Sequence, residues 1–299
     1  MFRVSYLAAL LLGCLSIATA QSVDADLERM QGNWRVLAAF DDAIEKQSDP
    51  KFRGSHVAIV KNQLVWKSAD GKPLFAAAIQ IRPADKKGLG NEIDLKTEKS
   101  EGKDGRVLPG RYVLEKNHLR LSVRIKDSAK APDPRVNQVT TRPQFLTFIL
   151  ERAESDKPGA PNASQKKDAE RILGKWDVIA YFDDGDDYTN RGRAVVITND
   201  RIEWKGDFKT KQVSVGANYK LHPEKSPPWF DMLGTKGGNP PPPEDGFLPS
   251  IYTFLDDDAL LISWPESGWR KDTKPEDRKR PTRIVSDGDV NLWILRRQP

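Results

Sequence analysis

Gly32-Asn33-Trp34-Arg35-Val36 returns as Gly174-Lys175-Trp176-Asp177-Val178, and the correspondence continues through most of the chain. A chain that repeats itself at this length folds as two like units in tandem, and about 130 residues per copy is enough for each to bury its own core. Each copy opens with a short helix-like run ahead of Gly-x-Trp. Each closes on an apolar run ending in Arg, at Arg152 in the first copy and at Arg296-Arg297 in the second. The expected organisation is an export signal over residues 1–20, a first repeat over 24–153, a linker over 154–165 and a second repeat over 166–299. The linker, Pro- and Gly-bearing and without apolar periodicity, reads as an exposed connection.

Inside the repeats the dominant period is two, which argues strands. Trp34, Val36, Ala38 and Phe40 alternate along one face, and Trp176, Val178, Ala180 and Phe182 repeat that face. Apolar runs then pair copy by copy, through hairpins turning at Asn62 and at Asn199-Asp200, to the last strands at Phe148-Ile149-Leu150 and Trp293-Ile294-Leu295. About eight short antiparallel strands per repeat predict an all-β fold of two small up-and-down barrels, each preceded by a short helix that plugs one end.

Loop lengths give each barrel a direction. In an up-and-down barrel the odd-numbered connections emerge at one end and the even-numbered ones at the other. The first, fifth and seventh connections are long, while the second and sixth are tight turns. One end is therefore expected to be closed and the other rimmed by loops.

Gly-x-Trp at the start of the first strand, with a C-terminal Arg able to lie across that Trp, resembles the lipocalin or calycin barrels. The chain is more closely similar to an uncharacterised lipocalin-like repeat domain common in exported proteins of planctomycete bacteria. Its pattern adds a mid-domain Ile93-Asp94 (Phe230-Asp231 in the second copy), a Tyr-bearing strand (Tyr112; Tyr252), and Arg-Pro before the last strand (Arg142-Pro143; Arg280-Pro281). The resemblance implies a barrel and no established activity. Gly32, Trp34 and Arg152, with Gly174, Trp176 and Arg297, are expected to close the barrels structurally, because a guanidinium over an indole contributes about 0.5 to 2 kcal/mol of cation–π attraction.

The first twenty residues carry Arg3, an apolar stretch and Ala18-Thr19-Ala20, which reads as an export signal too short to span a bilayer. Lipoprotein processing at Cys14 is the alternative, disfavoured because the apolar run continues to Ala20. Cys14 is the only cysteine, so the mature chain has no thiol for disulfides, catalysis or metal. No transmembrane segment is expected after signal removal. The net charge of +5 is spread among interleaved acids and bases, which describes a solvated surface and not a nucleic-acid stripe.

No catalytic set, cofactor motif or metal site is read. His56, His118 and His222 are non-equivalent and lack a second ligand at metal spacing, and Ser267 lacks the glycine of a nucleophile elbow. Asp183-Asp184-Gly185-Asp186-Asp187 is rich in oxygen ligands but lacks EF-hand spacing. Trp66, Tyr112, Trp204, Tyr252 and Trp264 are expected to point inward, where they line a pocket or fill the barrel. The seventh connections are basic, with Arg278, Lys279 and Arg280 expected at the open rim of the second repeat. The expected protein is an exported, non-enzymatic binder of a small apolar, amphiphilic or anionic envelope ligand, lipid or polymer. The alternative is a structural or protein-interaction module with filled barrels.

Overall fold

The computed structural model describes residues 25–47, 49, 52–82, 91–97, 105–126, 138–153, 167–208, 211–233, 247–265, 279–285 and 290–299. The expected export signal with Cys14, the linker, the proline run 240–243, Ser267, Asp287-Gly288-Asp289 and the cations Lys130, Arg135, Arg270, Lys271, Lys274 and Arg278 lie outside the described residues.

In the first repeat β1 (Gly32–Asp41), β3 (His56–Val60), β4 (Gln63–Lys67), β5 (Pro73–Arg82), β6 (Asn91–Thr97), β7 (Val107–Glu115), β8 (His118–Arg124) and β9 (Phe145–Arg152) form an antiparallel sheet, and β1 pairs with β9 to close it. The second repeat does the same with β10 (Gly174–Asp183), β12 (Gly192–Ile197), β13 (Arg201–Phe208), β14 (Lys211–His222), β15 (Trp229–Leu233), β16 (Phe247–Asp256), β17 (Ala259–Pro265) and β18 (Val290–Arg297). The fold is thus two closed eight-stranded antiparallel barrels in tandem. Closure removes the sheet edges that an open sheet of this size would expose. Two further strands of two residues each, β2 (Ile44–Glu45) and β11 (Asp186–Asp187), fold back on the ends of β1 and β10. Their turns hold Asp42 and Ala43, or Asp184 and Gly185, at positive φ, the conformation that two-residue hairpins demand.

The first strand departs from simple alternation. A β-bulge between Val36 and Ala38, repeated between Val178 and Ala180, adds one residue and turns the far half of the strand over. Trp34, Val36 and Ala39 face the first barrel's interior, whereas Leu37, Ala38 and Phe40 face out. Ala38 and Phe40 therefore do not share a face with Trp34, and Ala180 and Phe182 do not share one with Trp176. A period-two count misses this because both faces of β1 beyond the bulge are buried and apolar.

The outward faces meet. Leu37, Ala38, Phe40 and Ile149 of the first barrel form one cluster with Ile179, Ala180, Phe182, Leu261 and Ile294 of the second. At its centre the equivalent residues Phe40 and Phe182 pack edge to face at 6.1 Å. The contact is reciprocal. The Asp187 amide donates to the Val139 carbonyl at 3.2 Å, and the equivalent Glu45 amide donates to the Ile284 carbonyl at 3.3 Å. Thr140 bridges Asp186, as Val285 bridges Ile44. These bridges equate Val139-Thr140 with Ile284-Val285, so Arg142-Pro143 and Arg280-Pro281 occupy different places before the last strand.

Charges are also shared across this interface. Arg120 Nε donates to Asp187 Oδ2 at 2.9 Å, with both side chains buried, and Arg120 Nη1 reaches the Ile179 carbonyl at 3.2 Å. Arg35 pairs with Glu151 of its own barrel and, at 2.5 Å, with Asp256 of the other; Arg296 pairs with Glu151 at 3.0 Å. Burial opposes ionisation of Glu151, but the imidazole of His118 at 3.7 Å and the charges of Arg35 and Arg296 outweigh it and hold the carboxyl at about 2. The unfolded chain takes up this proton near 4.5. The stabilisation is therefore complete above that pH and is lost as pH falls toward about 2. Urea midpoints measured between about pH 5 and pH 2.5 should fall, and Glu151→Gln should flatten part of the decline. An unchanged slope in the variant would remove Glu151 from the acid response.

Candidate functional site

The two ends of each barrel differ in chemistry. At the closed end residues 25–30 form α1 in the first repeat, and Asp168–Arg171 form α2 in the second. The Trp34 indole donates to the Met30 carbonyl at 2.7 Å, and the Trp176 indole to the Ile172 carbonyl at 3.0 Å. The Arg152 guanidinium lies 4.4 Å over the Trp34 ring, and that of Arg297 lies 4.2 Å over Trp176. Each Arg also donates to two carbonyls at the end of its plug helix, those of Gln31 and Arg29 or of Leu173 and Arg171. Gly32 and Gly174 sit at φ +110° and +131°, and a Cβ at Gly174 would meet the Arg297 guanidinium at 2.9 Å. The Gly-x-Trp signature thus has a local cause: only glycine tolerates both that backbone and that approach.

Tyr112 and Tyr252, expected as pocket lining, reach this same end. Their hydroxyls donate to Asp26 at 2.9 Å and to Asp168 at 2.8 Å, fastening the plug helices to the barrels. Burial, followed by the neighbouring carboxylate, pushes both phenols up. The helix before each barrel supplies a carboxylate one strand-length from the loops, and an inward Tyr near the end of its strand pairs with it.

At the loop-rich end the barrels diverge. In the first, Trp66 is fully engaged. Its indole donates to Ser55 Oγ at 2.9 Å, Gln47 donates to the same oxygen at 2.6 Å, Phe52 stacks on the ring at 5.4 Å, and Phe148 meets it edge-on at 5.0 Å. Gln47, Ser55 and Phe52 all come from the first connection, whose described residues thus supply Trp66 with its acceptor and its stacking partner.

The second barrel places aromatic residues where the first has aliphatic ones or Phe. Strand register equates Tyr181 with Ala39, Trp264 with Val123 and Trp293 with Phe148. Trp264 and Trp293 pack edge to face at 4.4 Å; Tyr181 lies 6.4 Å from Trp264 and 6.5 Å from Trp293, with Tyr188 beyond it at 6.3 Å. The Tyr181 hydroxyl donates to Asn291 Oδ1 at 3.2 Å. Trp204, the counterpart of Trp66, is half-buried and packs against the interior cluster. Among the described residues its ring meets no other aromatic ring. The indole nitrogens of Trp204 and Trp293 are both buried and neither donates a hydrogen bond. Buried donors are almost always paired in native interiors, and these two belong to side chains that pack in or against the second barrel's interior cluster.

Tyr181, Tyr188, Trp293 and Asn291 were not among the expected site residues. The bulge after Val178 turns Tyr181 inward, and a strict alternation places it outside. The aligned repeats carry the signal: an aromatic ring is gained at positions 181 and 264, and an indole replaces a phenyl ring at 293.

The basic rim is differently placed. Lys279 is exposed. Arg280 is committed to the barrel's outer wall, paired with Asp231 at 2.6 Å, donating to the Ser250 carbonyl at 2.6 Å, and lying 4.1 Å over Trp229. Its charge is compensated, which removes it from the expected anion-attracting rim. The acidic run is likewise engaged: Asp187 by Arg120, and Asp184 and Asp186 by Arg142. Among the described residues no group of three or more His, Cys, Asp or Glu side chains could hold a metal ion, and no helix is long and apolar enough to cross a membrane.

Fold and site together define a tandem β-barrel protein in which both barrels are plugged at one end and the second carries an aromatic cluster toward the other. No family model matches the chain, and no curated protein matches it. A solved structure to which it is similar is a protein of unknown function from the DUF3598 family of Nostoc punctiforme, 12% identical, with 91% of this chain and 97% of that chain covered at a TM-score of 0.21.

Proposed function

We propose that this protein is a non-enzymatic, exported binding protein in which the second barrel holds a small apolar or amphiphilic molecule at its loop-rich mouth. The observation that carries this reading is the contrast between Trp66, with three partners in the first barrel, and Trp204, whose buried indole has none. Concave aromatic chambers with few polar groups are the usual form of small-molecule sites. The first barrel answers to the other expectation, a side-chain-filled scaffold, because Ser55 and Phe52 of its first connection engage Trp66. The lipocalin-like assignment, of the planctomycete repeat type, belongs to the same proposal, supported by Gly-x-Trp under a terminal Arg in both copies.

The test is a fluorescence titration with the neutral probe N-phenyl-1-naphthylamine. Saturable binding to one site is expected, weakened about tenfold by Trp204→Ala and unchanged by Trp66→Phe in the first barrel, with thermal melts confirming that both variants fold. Absence of saturable binding, or equal losses from the two variants, would reject the reading.

A further inference from the structure

The polar groups at the mouth of the second barrel restrict what it can hold, given the binding reading above. An indole N–H is a donor only, so Trp204 and Trp293 cannot satisfy each other and no Lys or Arg can satisfy them. Each needs an acceptor. Both nitrogens are buried, and Trp293 as a whole is only 8% exposed, so the acceptor must enter the chamber. The natural intramolecular solution is visible next door. In the first barrel Ser55 Oγ accepts from Trp66, and Phe148, with no polar atom, stands where Trp293 stands in the second. The second barrel has thus added a donor at position 293 and left the one at 204 without an acceptor.

The kind of acceptor follows from the neighbours. Trp264, Trp293, Tyr181 and Tyr188 pack into one aromatic cluster, which offers an apolar surround to a flat or compact apolar body. A ligand hydroxyl would bring its own proton to be satisfied, and that proton would have to share Asn291 Oδ1 with the Tyr181 hydroxyl. A carboxylate would bury a full charge against uncharged donors, and Arg280, the cation expected nearby, is spent on Asp231. A carbonyl oxygen accepts a hydrogen bond without bringing a proton or a charge. We infer that the second barrel takes an uncharged, carbonyl-bearing apolar molecule, with the indole N–H groups of Trp204 and Trp293 as its specificity-determining donors.

Three matched probes test this on the full-length mature chain by calorimetric titration: 2-acetylnaphthalene, its near-isostere 2-ethylnaphthalene, and 2-naphthoate. The ketone is expected to bind about tenfold more tightly than the hydrocarbon, since pairing an otherwise unpaired buried donor is worth about one decade in affinity. In Trp204→Phe/Trp293→Phe, which keeps an aromatic ring at each position and removes both donors, that preference should fall below about twofold, whatever affinity both probes lose together with the smaller rings. Should the double variant fail to fold, Trp204→Phe alone, at a half-buried position, should still lose part of the preference. Equal affinity for ketone and hydrocarbon, with binding abolished by Trp204→Ala, would overturn the carbonyl assignment and keep the pocket. Tightest binding by 2-naphthoate would overturn it in favour of an anion site. No binding by any probe would overturn both the assignment and the pocket.

Discussion

Arg120→Ala is expected to cost about 3 to 5 kcal/mol, the usual penalty for removing one member of a buried ion pair. Arg120 is 4% exposed and sits where the two barrels meet, bonded to Asp187 and to the Ile179 carbonyl. Burial works against its charge, but Asp187 and Glu115 more than offset that and raise its proton affinity further. Truncation would leave Asp187 in the interface with, among the described residues, the Thr189 amide and hydroxyl as donors. A second variant separates charge burial from lost packing. Arg120→Leu/Asp187→Asn should recover most of the loss, because replacing both members of a buried pair is often close to neutral. Leucine already serves at the equivalent place in the second barrel, where Leu261 packs into the same cluster. Urea denaturation followed by near-ultraviolet circular dichroism reads both effects. A single-variant loss under about 1 kcal/mol, or a double variant no better than the single, would mean that the apolar cluster alone holds the barrels together.

Trp34→Ala should cost about 3 to 5 kcal/mol in the first barrel, as for other buried aromatic truncations. Trp34 is fully buried, its indole anchors the Met30 carbonyl at the end of α1, and its other face carries Arg152. Arg152→Ala removes about 0.5 to 2 kcal/mol of cation–π attraction, together with hydrogen bonds to two helix-end carbonyls that water can partly replace. The order Trp34→Ala worse than Arg152→Ala is therefore expected, and in the double variant the losses should not add, since each residue acts through the other. Hydrogen exchange would show α1 opening first in either variant. A strictly additive double variant would separate the stacked pair into independent contacts.

These expectations rest on parts of the fold that were legible in the sequence to different degrees. The tandem barrels and their plugged ends could be read because Trp34, Trp176 and the alternating strands recur with the same spacing. The interface between the barrels could not. Leu37, Ile149, Leu261 and Ile294 lie on strands that are apolar on both faces, and such a run looks the same whether its second face meets the same core or another domain. The bulges at Val36–Ala38 and Val178–Ala180 hid a change of face behind unbroken apolar sequence. Charge misled for a related reason. Arg280 and the acidic run 183–187 read as surface features, but side-chain reach carried the first onto Trp229 and Asp231 and the second onto Arg120 and Arg142. The aromatic mouth was half visible: Trp204 and Trp264 stood out as tryptophans, while Tyr181 needed the bulge to turn it inward.

The reciprocal contact of Val139 with Asp187 and of Ile284 with Glu45 has the form of a homodimer whose halves are covalently joined. In a true homodimer every substitution acts twice, once on each side of the axis. A residue useful on one side must then be tolerable on the other. Joining the halves in one polypeptide lifts that restriction, so an Arg can stand at position 120 opposite Asp187 while Leu261 keeps the mirrored place apolar. The same freedom separates the two mouths. One copy can use its first loop to pair the indole of Trp66, while the other carries Trp204 and Trp293 as unpaired donors within the same joined pair.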